Sequence, residues 1–222
     1  MKQIDRKIYS YIEVLMNRYS ELKICEKDIV ETYLILEKCY ENCGKLLIAG
    51  NGGSAADAEH IVAELMKSFK RPRPIPEKLA RRLEELDPEK SISLVENLEC
   101  SLPAISLVSQ TSLMTAYIND VDGEDLFAQQ LLGYAKEGDV LLAITTSGNS
   151  KNILKAAILA RALGIKIVCL TGKDGGDITE FADISIRVPE KETYKIQELH
   201  LPVYHCLCMM LEEHFFANDK KV

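Results

Sequence analysis

No long run of basic residues, no CxxC pair and no uninterrupted apolar stretch of bilayer length occurs in this chain of 222 residues. Each absence removes a class of function. With no basic run and a formal net charge of -7, binding to nucleic acid or an anionic membrane through net charge is not expected. The missing apolar stretch argues against a transmembrane helix, and Met1-Lys2-Gln3-Ile4-Asp5-Arg6 has no apolar signal region. The cysteines are Cys25, Cys39, Cys43, Cys100, Cys169, Cys206 and Cys208, an odd number set mostly in apolar runs. Free thiols in a reducing cytosol are therefore expected, not a disulfide framework. Repeats, low-complexity tracts and interdomain linkers are also lacking, so residues 1–222 read as a single domain. A hydrophobic content of 47% is enough for a full core.

What is present is an alternation. Residues 3–43 carry apolar positions at helical spacing (Ile4, Ile8, Ile12, Leu15, Met16, then Ile29, Tyr33, Leu34, Leu36), read as two N-terminal helices with a break near Lys23–Lys27. Five apolar segments of strand length follow, at 45–49, 103–108, 139–145, 165–170 and 183–188, mostly separated by helix-like stretches. Such alternation argues for an α/β fold with a parallel sheet covered on both faces. The prolines of Lys70-Arg71-Pro72-Arg73-Pro74-Ile75-Pro76 must end a helix. They open an insertion over 70–100 whose residues 77–99 look like a short, highly charged helical excursion, simplest as a solvated lid or a subunit contact. Residues 193–217 form a long amphipathic helix.

Two loops carry the chemistry. Gly50-Asn51-Gly52-Gly53-Ser54 and Thr145-Thr146-Ser147-Gly148-Asn149-Ser150 each follow an apolar run and precede a helix. Glycines let backbone N–H groups approach, hydroxyls donate, and a helix N-terminus favours negative charge. Two such units suggest a phosphorylated small molecule at the carboxyl edge of the sheet. His60 and Glu64, four apart, share a helix face. Gln197 and His205, eight apart, are separated by about 80° around the last helix and can converge. An acid and an imidazole beside a phosphosugar suit proton abstraction next to a carbonyl and its return to the adjacent carbon. The same four side chains also make a set of metal ligands, with Gln the weak one. Blander roles compete: His200 and His214 as structural residues, His60–Glu64 as a surface pair, Asn119-Asp120 as a turn or cap, and Lys173-Asp174-Gly175-Gly176 as a tight turn.

The run Gly50-Asn51-Gly52-Gly53-Ser54-Ala55-Ala56-Asp57-Ala58-Glu59-His60, with Ala63-Glu64-Leu65, resembles the opening motif of the sedoheptulose 7-phosphate isomerase (phosphoheptose isomerase) family of sugar isomerase (SIS) domain proteins. Asn119-Asp120, Thr146-Ser147-Gly148-Asn149-Ser150, Leu170 to Gly176 and Ile196-Gln197-Glu198-Leu199-His200 match in the same order. The resemblance implies a single SIS domain, a five-stranded parallel sheet in a three-layer αβα arrangement with an N-terminal helical hairpin. It also implies a homotetramer with sites between subunits. In the implied activity, an aldose–ketose isomerase converts D-sedoheptulose 7-phosphate to D-glycero-D-manno-heptose 7-phosphate for heptose synthesis. Thr145, Thr146, Ser147 and Ser150 would hold the phosphate. Asn51, Gly52, Gly53 and Ser54 would line the sugar end, Asn119 and Asp120 would contact hydroxyls, and Gln197 would orient the sugar. Glu64 and His205 would be the acid and base, working through an enediol. Some members bind zinc at the positions of His60, Glu64, Gln197 and His205, so the resemblance leaves both a one-zinc and a metal-free site open.

The chain departs from the family pattern at three places. Met66-Lys67-Ser68-Phe69 stands where the family often has Gly-Arg, leaving Lys67 or Lys70 to replace that charge. Tyr194 stands where an aspartate is common, and the 77–99 excursion is longer than usual. Two further classes stay open: the same chemistry on another sugar phosphate, or a non-catalytic SIS module that binds phosphosugars or proteins. Relatives of the latter kind lack an acid and a histidine at the positions of Glu64 and His205.

Overall fold

Five parallel strands form the centre: β1 (Leu46–Gly50), β2 (Ala104–Ser106), β3 (Val140–Ile144), β4 (Lys166–Thr171) and β5 (Ile184–Arg187). The order across the sheet is β2-β1-β3-β4-β5. All five coincide with the apolar segments seen in the sequence. The computed structural model describes residues 4–217. Residue 3, where the helical reading begins, and the first three residues of the N-terminal stretch lie outside them.

Strands β1 and β3 are buried along their whole length because helices cover both faces, which is why they read as continuous apolar runs and not as alternation. The period of two still sorts their side chains. Leu47, Ala49, Leu141, Ala143, Ile167 and Cys169 pack against Phe127 and Leu131 of α7 (Leu126–Tyr134) and Ile153, Ala156, Ala157 and Ala160 of α8 (Lys151–Ala162). Leu46, Ile48, Leu142, Ile144, Val168 and Leu170 face the other layer. That layer holds α1 (Arg6–Arg18), α2 (Glu26–Glu41), α3 (Gly53–Met66) and α9 (Thr193–Phe216). The expected break between the first two helices is a 3-10 turn, Ser20–Cys25.

The chain leaves β1 for β2 on one side, then returns to place β3 on β1's other side, in register from Leu46↔Val140 to Gly50↔Ile144. The strand order therefore reverses between β1 and β3. In an open α/β sheet the crevice beyond the carboxyl ends of such a pair is where ligands sit. Both glycine- and hydroxyl-rich loops emerge there, one from each strand.

The charged excursion is two helices, α4 (Glu77–Leu86) and α5 (Pro88–Asn97). They divide at Asp87-Pro88, where Asp87 accepts the Lys90 backbone N–H at 2.9 Å and proline takes the first helical position. No α4 side chain is buried. The hairpin leaves and rejoins the body at one place, through an antiparallel bridge between Pro74 and Glu99 and a 2.7 Å bond from the Cys100 N–H to the Arg73 carbonyl. Helix α6 (Thr111–Asp120) also buries none of its residues.

Candidate functional site

The first loop turns from β1 directly into α3. Gly50 lies so close to this turn that a Cβ there would come within 2.3 Å of the Ser54 carbonyl oxygen, and Gly52 has a φ of 57°, a left-handed position suited to glycine. A Cβ on Gly53 would meet the Gln197 amide at 2.6 Å, so its absence lets α9 approach the loop. The second loop runs from β3 into α8. Gly148 (φ 69°) packs on Gly175, where a Cβ would come within 1.8 Å of the carbonyl oxygen, and Ile178 N–H bonds the Gly148 carbonyl at 3.1 Å. Lys173-Asp174-Gly175-Gly176 is thus more than a turn: it buttresses the second loop. Thr145 Oγ1 and Ser150 Oγ stand 3.3 Å apart.

Together the loops enclose a cavity of about 300 Å³ lined by Asn51, Gly52, Gly53, Ser54, Ile144, Thr145, Thr146, Ser150, Thr193 and Gln197. Eight of the expected substrate residues line it. Ser147 lies on the same loop, with its Oγ accepting the Asn149 N–H at 3.2 Å. Asn51 is tied to Asn152 of α8 by two reciprocal amide bonds of 2.9 Å, a link between the loops that the sequence did not signal.

Helices α3 and α9 run alongside each other in the same direction. Gly53 meets Gln197 at their N-terminal ends, and two turns further on His60 meets Tyr204 and His205. The sequence spacings of seven and eight residues each amount to about two helical turns, roughly 11 to 12 Å of rise. His60 Nε2 lies 3.1 Å from Glu64 Oε1 and 3.5 Å from His205 Nε2. Glu64 Oε2 is buried and has no hydrogen-bond partner among the described residues; Lys67 Nζ stands 3.7 Å away as a charge partner. Of the two lysines that could supply the missing arginine's charge, Lys67 is thus an ion-pair partner of Glu64, whereas Lys70 lies over the Tyr11 ring. Burial, with a smaller push from His60, holds His205 below the ordinary histidine pKa, while Glu64 opposes the shift. This favours the neutral imidazole, able to accept or donate.

The four metal-type side chains are not gathered at one point. His60 contacts both Glu64 and His205, while the Gln197 amide packs over Gly53. Among the described residues, the set of three metal-type donors with ligand atoms all within 4.8 Å of one another is Glu37, Glu41 and His214, on α2 and α9. His214 lies nine residues beyond His205 on the same helix, about 13 Å by rise. Its Nδ1 is 3.1 Å from Glu37 Oε1 and from the Tyr33 hydroxyl, a polar contact joining the two helices. His200 is fully buried beside the Thr171 backbone, and burial pushes its pKa to about 4. It packs as a neutral ring.

Asn119 and Asp120 do not line the cavity of a single chain. They sit exposed at the end of α6, with Asn119 Nδ2 donating to Asp120 Oδ1 at 2.8 Å. Arg73, by contrast, gave no sequence signal beyond its place in a proline-rich stretch. Its guanidinium is buried, donates to the Leu65 and Glu64 carbonyls at 2.8 and 3.1 Å, and pairs with Glu212 at 2.8 Å. Glu212 also accepts the Phe69 and Lys70 N–H groups at 2.8 Å. The C-terminal carbonyls of α3 are thus fastened to α9 directly beside Glu64.

Comparison with known proteins follows the same lines. The SIS domain family matches residues 106–210. A phosphoheptose isomerase from Geotalea daltonii is 38% identical over 220 residues, covering 99% of this chain and 100% of that protein. The structure of a phosphoheptose isomerase from Francisella tularensis superposes with a TM-score of 0.73 at 32% identity, over 93% of this chain and 97% of the other. That of Neisseria gonorrhoeae phosphoheptose isomerase gives 0.70 at 29% identity, over 92% and 97%.

Proposed function

We infer the function of this chain from the family to which it belongs, the phosphoheptose isomerases of the SIS-domain fold: it interconverts D-sedoheptulose 7-phosphate and D-glycero-D-manno-heptose 7-phosphate. The observation that carries the reading is the pairing of a two-loop cavity with an acid–imidazole cluster two turns along the same parallel helices. Thr145, Thr146, Ser147 and Ser150, with the N-terminus of α8, take the phosphate. Asn51, Gly52, Gly53, Ser54 and Gln197 hold the sugar end. Glu64 and His205 carry the protons. One removes a proton from C1 of the ketose while the C2 oxygen is protonated, giving an enediol. Returning a proton to C2 and releasing the one on the C1 oxygen gives the aldose.

Two imidazoles and a carboxylate suit zinc, and Glu64 Oε2, which has no hydrogen-bond partner among the described residues, leaves a lone pair for it, so His60, Glu64 and His205 are the residues that would hold an ion, with Gln197 its weakest candidate. A zinc ion bound there would polarise the substrate carbonyl. We place the protein in the cytosol, on the strength of seven free cysteines. Among the described residues no helix is long and apolar enough to cross a membrane. A homotetramer with sites between subunits is supported by apolar side chains left exposed on α6 (Leu113, Ile118) and on α1 and α7 (Val14, Leu132). In it, Asn119 and Asp120 of one subunit would complete the site of another.

A turnover assay with sedoheptulose 7-phosphate, run with chelator and with added zinc, tests the reading. Turnover that Glu64→Gln and His205→Ala reduce by several orders of magnitude is the expected result. No turnover by the unmodified protein, with phosphosugar still bound, would move it to another substrate or to a binding module.

A further inference from the structure

Tyr204 precedes His205, one of the two proposed proton carriers, yet its hydroxyl turns to α3. It lies 3.1 Å from Asp57 Oδ1 and 3.0 Å from His60 Nδ1. Asp57 and His60 are three apart on one face of α3, so a single hydroxyl from the neighbouring helix reaches both. The His60 and Tyr204 rings meet edge to face, with centroids 5.5 Å apart.

We propose that Tyr204 is a positioning residue which, bonded to Asp57, fixes His60 in the tautomer whose Nδ1 carries the hydrogen and whose Nε2 presents its lone pair to Glu64 and His205.

The assignment follows from counting hydrogens. The Tyr204 hydroxyl has one hydrogen and accepts through its oxygen. An ionised Asp57 can only accept, so the hydroxyl hydrogen goes to Oδ1. The same oxygen can then meet His60 Nδ1 only as an acceptor, so Nδ1 must be the donor. Burial raises the Tyr204 pKa, so the phenol keeps its hydrogen. Burial raises the Asp57 pKa, and the bond from the Tyr204 hydroxyl, made to the charged carboxylate, opposes that rise. The consequence lies at the other ring nitrogen. A neutral His60 so fixed has no hydrogen on Nε2 to offer across the 3.1 Å contact to Glu64 Oε1. That contact is favourable only with a proton or a cation between the two atoms. Tyr204 thereby dedicates the inner edge of His60 to holding whatever positive species the Glu64–His205 cluster carries. Partners of this kind, behind a functional histidine, orient the ring and tune its basicity.

Nitrogen-15 NMR of the full-length, metal-stripped protein with labelled histidine tests this without reference to turnover. His60 should show a protonated Nδ1 and an unprotonated Nε2. Tyr204→Phe, which removes the hydroxyl alone, should bring the two nitrogens toward the averaged shifts of a ring exchanging tautomers. Asp57→Asn gives a second route, freeing the Tyr204 hydrogen to point at Nδ1 and move the ring hydrogen to Nε2. A His60 protonated at Nε2 in the unmodified protein, or unchanged shifts in both variants, would overturn the proposal. A kinetic arm rests on the isomerase reading: Tyr204→Phe should lower kcat about 10- to 100-fold with KM for the sugar phosphate unchanged. A matching loss of phosphosugar binding would instead mark Tyr204 as a packing residue. If the substrate is a different one, the NMR result stands apart from that failure.

Discussion

Single residues in this molecule were legible when their role was local and hidden when it depended on a distant partner. His60 and Glu64 could be paired from a spacing of four, because a helix fixes that geometry by itself. Tyr204 could not be paired with Asp57, 147 positions away, until α3 and α9 were seen side by side. Arg73 was hidden in the same way: nothing in its proline-rich stretch announces that it caps α3 from inside. His200 shows how a structural residue leaves a measurable trace. Burial lowers its folded pKa to about 4, against about 6.5 when unfolded, so folding favours the neutral ring. Its stabilising contribution relative to a protonating site is intact above pH 6.5 and is lost as pH falls from there toward 4, because the unfolded chain then binds a proton that the folded one refuses. The difference amounts to about 3 kcal/mol. Denaturant melts between pH 7 and 4 should show this fall, and His200→Leu should remove that part of the pH dependence whatever it does to stability at pH 7. Identical pH profiles for the two proteins would contradict the assignment.

Among the elements, the strands were plain from sequence, most of all β1 and β3 at the centre, where burial on both faces leaves little but Leu, Ile, Val and Ala. The charged excursion was harder. A run rich in Glu, Lys and Arg announces a helix but not its fold-back, although Asp87-Pro88 carries the signal for one helix ending and another beginning. Since α4 buries nothing and the hairpin is closed at its base by the Pro74–Glu99 bridge, the body of the protein should not depend on it. Replacing residues 76–97 by a short glycine–serine loop should change stability by no more than about 1 kcal/mol, with the loop term itself small. Thermal and denaturant melts measure this directly. A loss of cooperative folding would show that the hairpin is part of the core after all.

For the whole molecule, the order of motifs gave the sheet, the crevice at β1 and β3 and most of the cavity wall. It could not give the position of Asn119 and Asp120, because α6 packs so lightly on its own chain that nothing local fixes where its end is used. If a neighbouring subunit uses it, two inactive proteins should repair each other. Glu64→Gln and Asp120→Ala, each inactive alone, should regain part of the turnover when unfolded together and reassembled, since some sites then receive both intact residues. Light scattering should report a tetramer for each. No recovery from mixed tetramers would place every working residue of a site on one chain.

The close contact of Gly148 with Gly175 and Gly176 has a consequence for how such a protein can change over generations. Two stretches more than twenty positions apart share one van der Waals surface with no room for a single methyl group. Neither can drift alone, and a second substitution across the contact can only add bulk, never restore space. Of all the segments around the cavity, this pair should be the one that random mutagenesis with selection for function leaves untouched.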